Sequence, residues 1–515
     1  MKHNVPEWLG DEPVIEESEI SEVLETEALI AGGGMGGIVT AAFTAEAGLK
    51  TLLIEKRAAL LVVRNEMAGI GSSLQREAGI EIDKFELIRQ HCAHAAGYVD
   101  QRLLHLWADE SGEVMDWYSE RLRERGITLY IQGGYSAEQK SGSYTRFPVG
   151  HRPIWENGLS GTKVLREYAE SFGAEFRMNT ALVKLEKTGN RVTGAIARNT
   201  VTGEYIRIKA RRGIAVATGG YSKNLEMMEA LQPHSLAICA PRRGDGVSMM
   251  GDGIKACLWA GAKLDDVHTS MIFDRYPLMP DETPATAGTE THGSILLTQP
   301  FLKVNLRGER FVNESIPYDY APHAAMLQPG NCCCVLFDSD YMEHVAGFDM
   351  VGCSRLYPFK NGAPTSRSYT EIPAELEKFV ESGRFAMADS IRELGEKLNI
   401  PSDTLEMTVS RYNELCDSGR DEDFGKEPHR MRALRRPPFY GARSCGLLVC
   451  TIDGIRTDLN INAVDDNYDP IPGLFALGND AGGYYAHTYF NTVTGSNAGR
   501  MMVFARRTAR TMAGI

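Results

Sequence analysis

The chain reads as an α/β protein: a split, Rossmann-like dinucleotide-binding domain with a separate α+β domain inserted into it. Three observations carry that reading. A strand–glycine–helix unit occupies Glu27 to Lys56, and a second glycine-rich strand end, Ile471 to Gly483, lies near the other terminus. Between them, about 271 to 436 mixes strand and helix patterns without a nucleotide signature. The expected division is 1–270 for the first part of the binding domain, with 1–26 an acidic N-terminal extension, 271–436 for the inserted domain, and 437–515 for the second part.

The first unit opens with Ala28, Leu29, Ile30 and Ala31, an apolar run that reads as a buried parallel strand. Gly32, Gly33, Gly34, Met35, Gly36 and Gly37 follow at once. In the spacing Gly32, Gly34, Gly37 the first glycine permits a tight turn, the second lets backbone approach a pyrophosphate, and the third lets helix pack on strand. A helix from about Ile38 to Ala47 then aims its unpaired N–H groups at that phosphate. Thr51 to Ile54 reads as the second strand. Glu55 ends it, where an acid takes ribose hydroxyls, and Lys56 follows. A bare GxGxxG is weak, but strand, helix and acid together define an adenine dinucleotide site.

Composition narrows the class. At 515 residues the chain has room for two to four domains, and 43% hydrophobic with 24% charged residues is ordinary for a globular protein. No apolar run approaches the ~20 residues that cross a bilayer. The start is acidic rather than signal-like, so a cytoplasmic protein is expected. The net charge of −13 is spread along the chain and argues against a nucleic-acid partner. None of the ten cysteines forms a CxxC pair, so no metal or iron–sulfur site is expected, and Cys332 to Cys334 read as strand core.

Taken in order, the loop Arg57 to Ser73 brings Ala68, Gly69, Gly71 and Ser72, small residues that let backbone lie against a ligand. Phe85 to Arg125 has a helical pattern, Gly133 to Gly150 reads as a long loop, and Ser160 to Ser171 resumes a helix. Phe176 to Leu185, Arg191 to Asn199 and Glu204 to Lys209 read as three strands. Gly213 to Ala217 reads as a separate buried strand closed by Thr218, Gly219 and Gly220, a second glycine turn for the same ligand. Asp252 stands near the start of a helix over Ile254 to Ala262. From Met271 the sequence reads as irregular, followed by a hairpin of Leu302 to Val304 with Gly308 to Val312. Helices are expected over Pro373 to Ser382 and Met387 to Leu398. In the closing motif Asp480 sits at a strand's carboxyl end, where open α/β sheets bind ligands. A helix behind Gly495, Ser496 and Asn497 leaves first-turn N–H groups for an anion.

The glycine turn with Glu55, ATGGY at Ala217 to Tyr221, GDGIK at Gly251 to Lys255, GERFVNE at Gly308 to Glu314 and PGLFALGNDAGG at Pro472 to Gly483 come in one order over nearly the whole chain. Together they resemble the flavoprotein family that includes fumarate reductase and succinate dehydrogenase flavoprotein subunits, urocanate reductase and 3-ketosteroid dehydrogenases. The resemblance implies FAD, a cap that closes over the substrate, and hydride transfer between flavin N5 and a carbon–carbon bond. It implies cofactor contacts from Gly32, Gly34, Met35, Gly36, Gly37, Glu55, Lys56, Ala68, Gly69, Ser72, Val183, Ala217, Thr218, Gly219, Gly220, Asn224, Asp252, Gly478, Asp480, Ser496 and Asn497. Family members with covalent FAD attach it through a histidine after the second strand. Arg57 to Ser73 has none, so non-covalent FAD is expected.

The substrate end departs from the fumarate pattern. Tyr318 stands where soluble fumarate reductases place their proton-donating arginine, and Cys450 where they place a histidine, while His268 matches a family substrate histidine. A buried dicarboxylate needs cationic partners. The phenolic and amide-rich set here instead suits a flat neutral molecule such as an enone, a ketosteroid or a polyphenol or isoflavonoid. The expected catalytic residues are Tyr318, Tyr489 and His268, and the expected substrate-binding residues are Tyr485, His487, Asn491 and Arg500. The expected activity is an FAD-dependent oxidoreductase acting on CH–CH groups, more often as a reductase. The alternatives are a fumarate- or urocanate-type carboxylate reductase using Arg500 and His268, or an electron-transfer flavoprotein subunit without its own substrate. Nothing in the chain supplies electrons, so an external donor is expected: reduced flavin, a nicotinamide or an electron-transfer protein.

Overall fold

The computed structural model describes residues 6–132, 140–141, 144–145, 147–155, 158–240, 247–288, 293–348, 354–359, 361–365 and 367–515. Most of the loop expected over 133–150 therefore lies outside the described residues.

One mixed sheet joins the two ends of the chain. Its first strand, Ile20–Ala31, pairs in parallel with Thr51–Ile54 on one side and Tyr205–Val216 on the other. Pro470–Ala476 lies against Tyr205–Val216 through Ile214 and Leu474, and Glu175–Arg177 flanks Thr51–Ile54. The carboxyl ends at Ala31, Ile54, Val216 and Ala476 thus stand side by side, with a glycine turn following three of them. The first strand begins at Ile20, inside the stretch expected as acidic extension, because Tyr205–Val216 is itself twelve residues long and supplies partners from Tyr205 onward. The separate strand expected at Gly213 to Ala217 is the far end of that same strand. Gly213, at φ 150, carries it past the carbonyl of Gly473, which a Cβ would meet at 2.9 Å.

A second sheet forms the cap. Phe439–Thr451 is central in it, antiparallel to Ser270–Leu278, Cys333–Phe337 and Ala386–Ala388 and parallel to Cys239–Ala240. The segment after Met271, expected as irregular, is therefore strand as far as Leu278, disguised by its one proline, Pro277. Leu302–Val304 pairs with Cys333–Phe337, and only the single bridge Val304 to Arg310 remains of the expected hairpin. The three cysteines 332–334 are buried, and Cys333 and Cys334 lie in this sheet as strand core.

The helical stretch expected over Phe85 to Arg125 is two helices, Lys84–His94 and Gln101–Arg123. Ala96 and Gly97 turn left-handed between them. The closing helix, Ser496–Ala513, packs on Met35–Glu46 and on Gln101–Arg123. Two glycines set that approach. A Cβ on Gly37 would lie 1.8 Å from the carbonyl oxygen of Gly32, and one on Gly499 would lie 2.0 Å from that of Ala68. Gly499→Ala should push the closing helix off the 66–69 segment and cost about 1–3 kcal/mol, as overpacking does. A thermal melt of the holoprotein matching wild type would contradict this contact.

Candidate active site

The dinucleotide end is built from backbone. Gly34 caps the helix Met35–Glu46 without a side-chain hydrogen bond, so the first N–H groups are not taken by a capping side chain. A cleft with about 510 Å³ of empty space, part of it open to solvent, is lined by Gly32, Gly34, Glu55, Lys56, Ala217, Thr218, Gly219 and Asp252. Glu55 is anchored there: one carboxylate oxygen accepts from the Gly33 N–H at 2.6 Å and the other from the Arg57 N–H at 2.9 Å. Lys56 pairs with Asp252 at 2.5 Å, tying the second strand to the start of the helix Asp252–Trp259. Gly36 lies close to Ala217 and Gly478, so the three glycine motifs meet at one point.

Asp480 holds that point together. Its side chain is fully buried and accepts from the N–H and hydroxyl of Thr218, the latter at 2.9 Å, and from the N–H groups of Gly219 at 3.1 Å and Gly220 at 2.9 Å. Burial raises its pKa, and the donated bonds from Gly220, Thr218 and Gly219 pull the other way. Gly219 and Gly220 adopt φ 105 and 77, which other residues reach with strain. Asp480, expected as a cofactor contact, organises the 218–220 turn beside the cleft.

Several expected contacts are placed differently. Val183 sits on the strand Thr180–Thr188, whose Thr180 and Leu182 line the cleft, at the point where the pairing with Arg191–Asn199 shifts register. Asn224 caps the helix Leu225–Leu231, accepting from Met227 N–H and donating to the Met250 carbonyl. Ser72 caps Ser73–Glu77 and contacts His151 Nε2 at 2.8 Å. Ser496 Oγ meets the Tyr485 hydroxyl at 2.8 Å, and the Asn497 N–H reaches Tyr489 Oη at 3.4 Å, so the closing helix aims at tyrosines.

Arg500 and His268, the two cationic candidates, are committed elsewhere. The guanidinium of Arg500 is fully buried, donates to the carbonyls of Gly478 at 2.7 Å and Ala481 at 3.3 Å, and lies over the rings of Tyr484 and Tyr485. These contacts tie its two terminal nitrogens to the 478–481 turn, while its buried Nε has no hydrogen-bond partner. His268 Nδ1 is 2.8 Å from Asp453, whose carboxylate also accepts from Tyr221 at 2.7 Å and Gln232 at 3.2 Å. Burial opposes a charge on His268, yet Asp453, Asp265 and Asp266 together raise its pKa. His487 is exposed at a left-handed position, edge-on to Tyr98.

The tyrosines converge. Tyr318, 3% exposed, packs edge-on to Phe273 at 5.1 Å, and Tyr489 meets the same ring at 6.2 Å. Contacts continue from Tyr489 to Tyr485, His91, Phe490 and His94 and return to the cap at Tyr320, with ring centroids 4.7–5.5 Å apart. The guanidinium of Arg275 lies over both Phe273 and Tyr318. Next to this belt, Asn491 is 2% exposed with neither amide atom hydrogen-bonded, and the buried hydroxyls of Thr488 and Thr492 also lack partners. Such orphaned polar atoms are costly unless a ligand satisfies them. The open cradle at Gly34 fits the phosphates of a bound dinucleotide, and the orphaned 488–492 segment marks a ligand-facing surface at the other end of the site. His91, His94 and His151 were not singled out in the sequence as site residues, because their spacing carries no motif.

Comparison with known proteins agrees with this geometry. A family model described as FAD binding domain matches residues 27–491, and the chain belongs to that family. The vinyl phenol reductase of Lactiplantibacillus plantarum is 25% identical over 491 residues, covering 94% of this chain and 95% of the relative. The fumarate reductase (cytochrome) of Shewanella frigidimarina is 25% identical over 519 residues, covering 97% and 77%. The 3-ketosteroid-Δ4-(5α)-dehydrogenase structure from Rhodococcus jostii aligns with TM-score 0.69 at 20% identity, covering 96% of this chain and 99% of that one, and so shares the fold. The protein is an FAD-dependent oxidoreductase. Among the described residues no helix is long and apolar enough to cross a membrane.

Two predictions follow from the electrostatics. Asp480→Asn replaces an all-acceptor group by one carrying two donors against the same N–H row, and should weaken FAD binding at least tenfold, about 1.4 kcal/mol, in a fluorescence titration. Unchanged affinity would contradict the role of Asp480. Burial holds His91 well below the usual histidine value, His151 and His323 at about 4, and His94 at about 3. These depressed values mean the unfolded chain binds protons that the folded one refuses. Stability is then lost as pH falls from about 6.5, by about 1.4 kcal/mol per pH unit for each such histidine, with His268 opposing. The urea midpoint should be lower at pH 5 than at pH 7.5; equal midpoints would contradict it.

Proposed function

We propose that the protein reduces a carbon–carbon double bond in a flat, neutral substrate carrying a phenol or ketone oxygen, with Tyr318 as proton donor. When bound, FAD supplies the hydride. The observation that carries the reading is the placement of Tyr318 and Tyr489 on either side of Phe273, with Arg275 over the ring of Tyr318. One alkene carbon takes the hydride and the other the phenolic proton of Tyr318. A guanidinium 5.4 Å from that ring stabilises the charge left on the oxygen.

In this reading 271–436 is the body of the cap, and the strand Phe439–Thr451 extends its sheet back toward the binding domain. Tyr485 and Asn491 border the substrate. Electrons come from a separate donor, either reduced flavin, a nicotinamide or an electron-transfer protein. The near full-length likeness to a vinyl phenol reductase favours a phenolic alkene over a dicarboxylate. So does the commitment of Arg500 to carbonyls and of His268 to Asp453.

Tyr318→Phe should keep FAD and lower kcat for 4-vinylphenol or an enone steroid at least ~100-fold, the scale of a lost general acid. Full turnover by this variant, with a reduced dye as donor, would remove Tyr318 from the mechanism.

A further inference from the structure

We propose that His94 is the polar anchor of the substrate site, taking the phenol or enol oxygen of the substrate at the end of the aromatic belt that Tyr320 closes. This rests on the reading of a flat, oxygen-bearing substrate given above. His94 ends the helix Lys84–His94 in the binding domain, and its Nδ1 is hydrogen-bonded to the hydroxyl of Tyr320 in the cap, with the two rings stacked at 4.7 Å. That contact fixes the ring and leaves Nε2 as its working nitrogen. The side chain is 4% exposed, and Nε2 is buried with no hydrogen-bond partner.

The nearest charged atom to Nε2 is Asp319 Oδ2 at 3.7 Å, too far for a direct bond and close enough for an inserted hydroxyl to reach both groups. Phe490 packs edge-on to the same imidazole at 5.1 Å, and the orphaned amide of Asn491 follows it in the chain, a second buried polar group awaiting a ligand. The groups facing His94 are Tyr320, Asp319 and His323 from the cap, His91 from its own helix, and His487 with the Thr488 and Tyr489 carbonyls from the closing loop. Burial, then the neighbouring histidines, keep the imidazole neutral, so it offers a hydrogen bond rather than a charge. A neutral anchor selects a hydroxyl over a carboxylate.

The test uses oxidised holoenzyme without turnover, titrated with 4-ethylphenol and with ethylbenzene, which lacks only the hydroxyl. Wild type should bind the phenol at least tenfold tighter. His94→Leu should bring the two affinities together, whereas His94→Gln, which keeps a hydrogen-bonding group, should retain part of the preference. An unchanged ratio in either His94→Leu or, should that variant not fold, Tyr320→Phe would overturn the proposal. So would a wild type that does not distinguish the two ligands. Because no turnover is read, failure here is separable from failure of Tyr318 as proton donor.

Discussion

The buried carboxylate of Asp480 is the constraint on which this molecule depends. It arrives on Pro470–Ala476, a strand from the last tenth of the chain, and binds the backbone of Thr218, Gly219 and Gly220. Those residues end the strand next to the one that feeds Gly32 to Gly37. A cradle whose parts lie far apart in sequence is thus closed by hydrogen bonds from N–H groups that have left-handed neighbours and no sheet partner. Charge-assisted bonds of this kind are among the stronger ones available to a protein interior. Removing the acceptor would leave buried donors unpaired, so the arrangement is demanding as well as firm.

The cofactor end and the substrate end obey different physics. At the first, glycines bring backbone against backbone and the ligand meets N–H groups; side chains serve mainly to hold turns. At the second, aromatic rings from both halves of the molecule meet in one belt, and buried polar atoms of Thr488, Asn491 and Thr492 beside it are left without partners. The belt starts at Tyr318 and ends at Tyr320, two residues further along the same segment. Arg500 shows how a cation can be built into the frame beside such a site: its terminal nitrogens donate to carbonyls, and its face supports Tyr484 and Tyr485.

What could be read from the sequence was what local geometry dictates. Gly32 and Gly37 are required by distances that a Cβ would violate, so the glycine spacing was legible, as was the acid after the second strand. The cap sheet was not, because Ser270–Leu278 and Phe439–Thr451 become strands through pairing with each other across the chain, and Pro277 in the first masks its pattern. Asp480 was found at the right strand end, but its true partners became visible only when the 218–220 turn was placed beside it. His94 gave no signal, since one histidine in a helical stretch gains meaning only from the cap residue stacked on it.

The most direct test of the account is anaerobic mixing of photoreduced holoenzyme with candidate acceptors while the flavin absorbance is followed. The account predicts rapid, stoichiometric reoxidation by 4-vinylphenol or an enone steroid and none by fumarate. Reoxidation by fumarate with no response to either neutral alkene would contradict it.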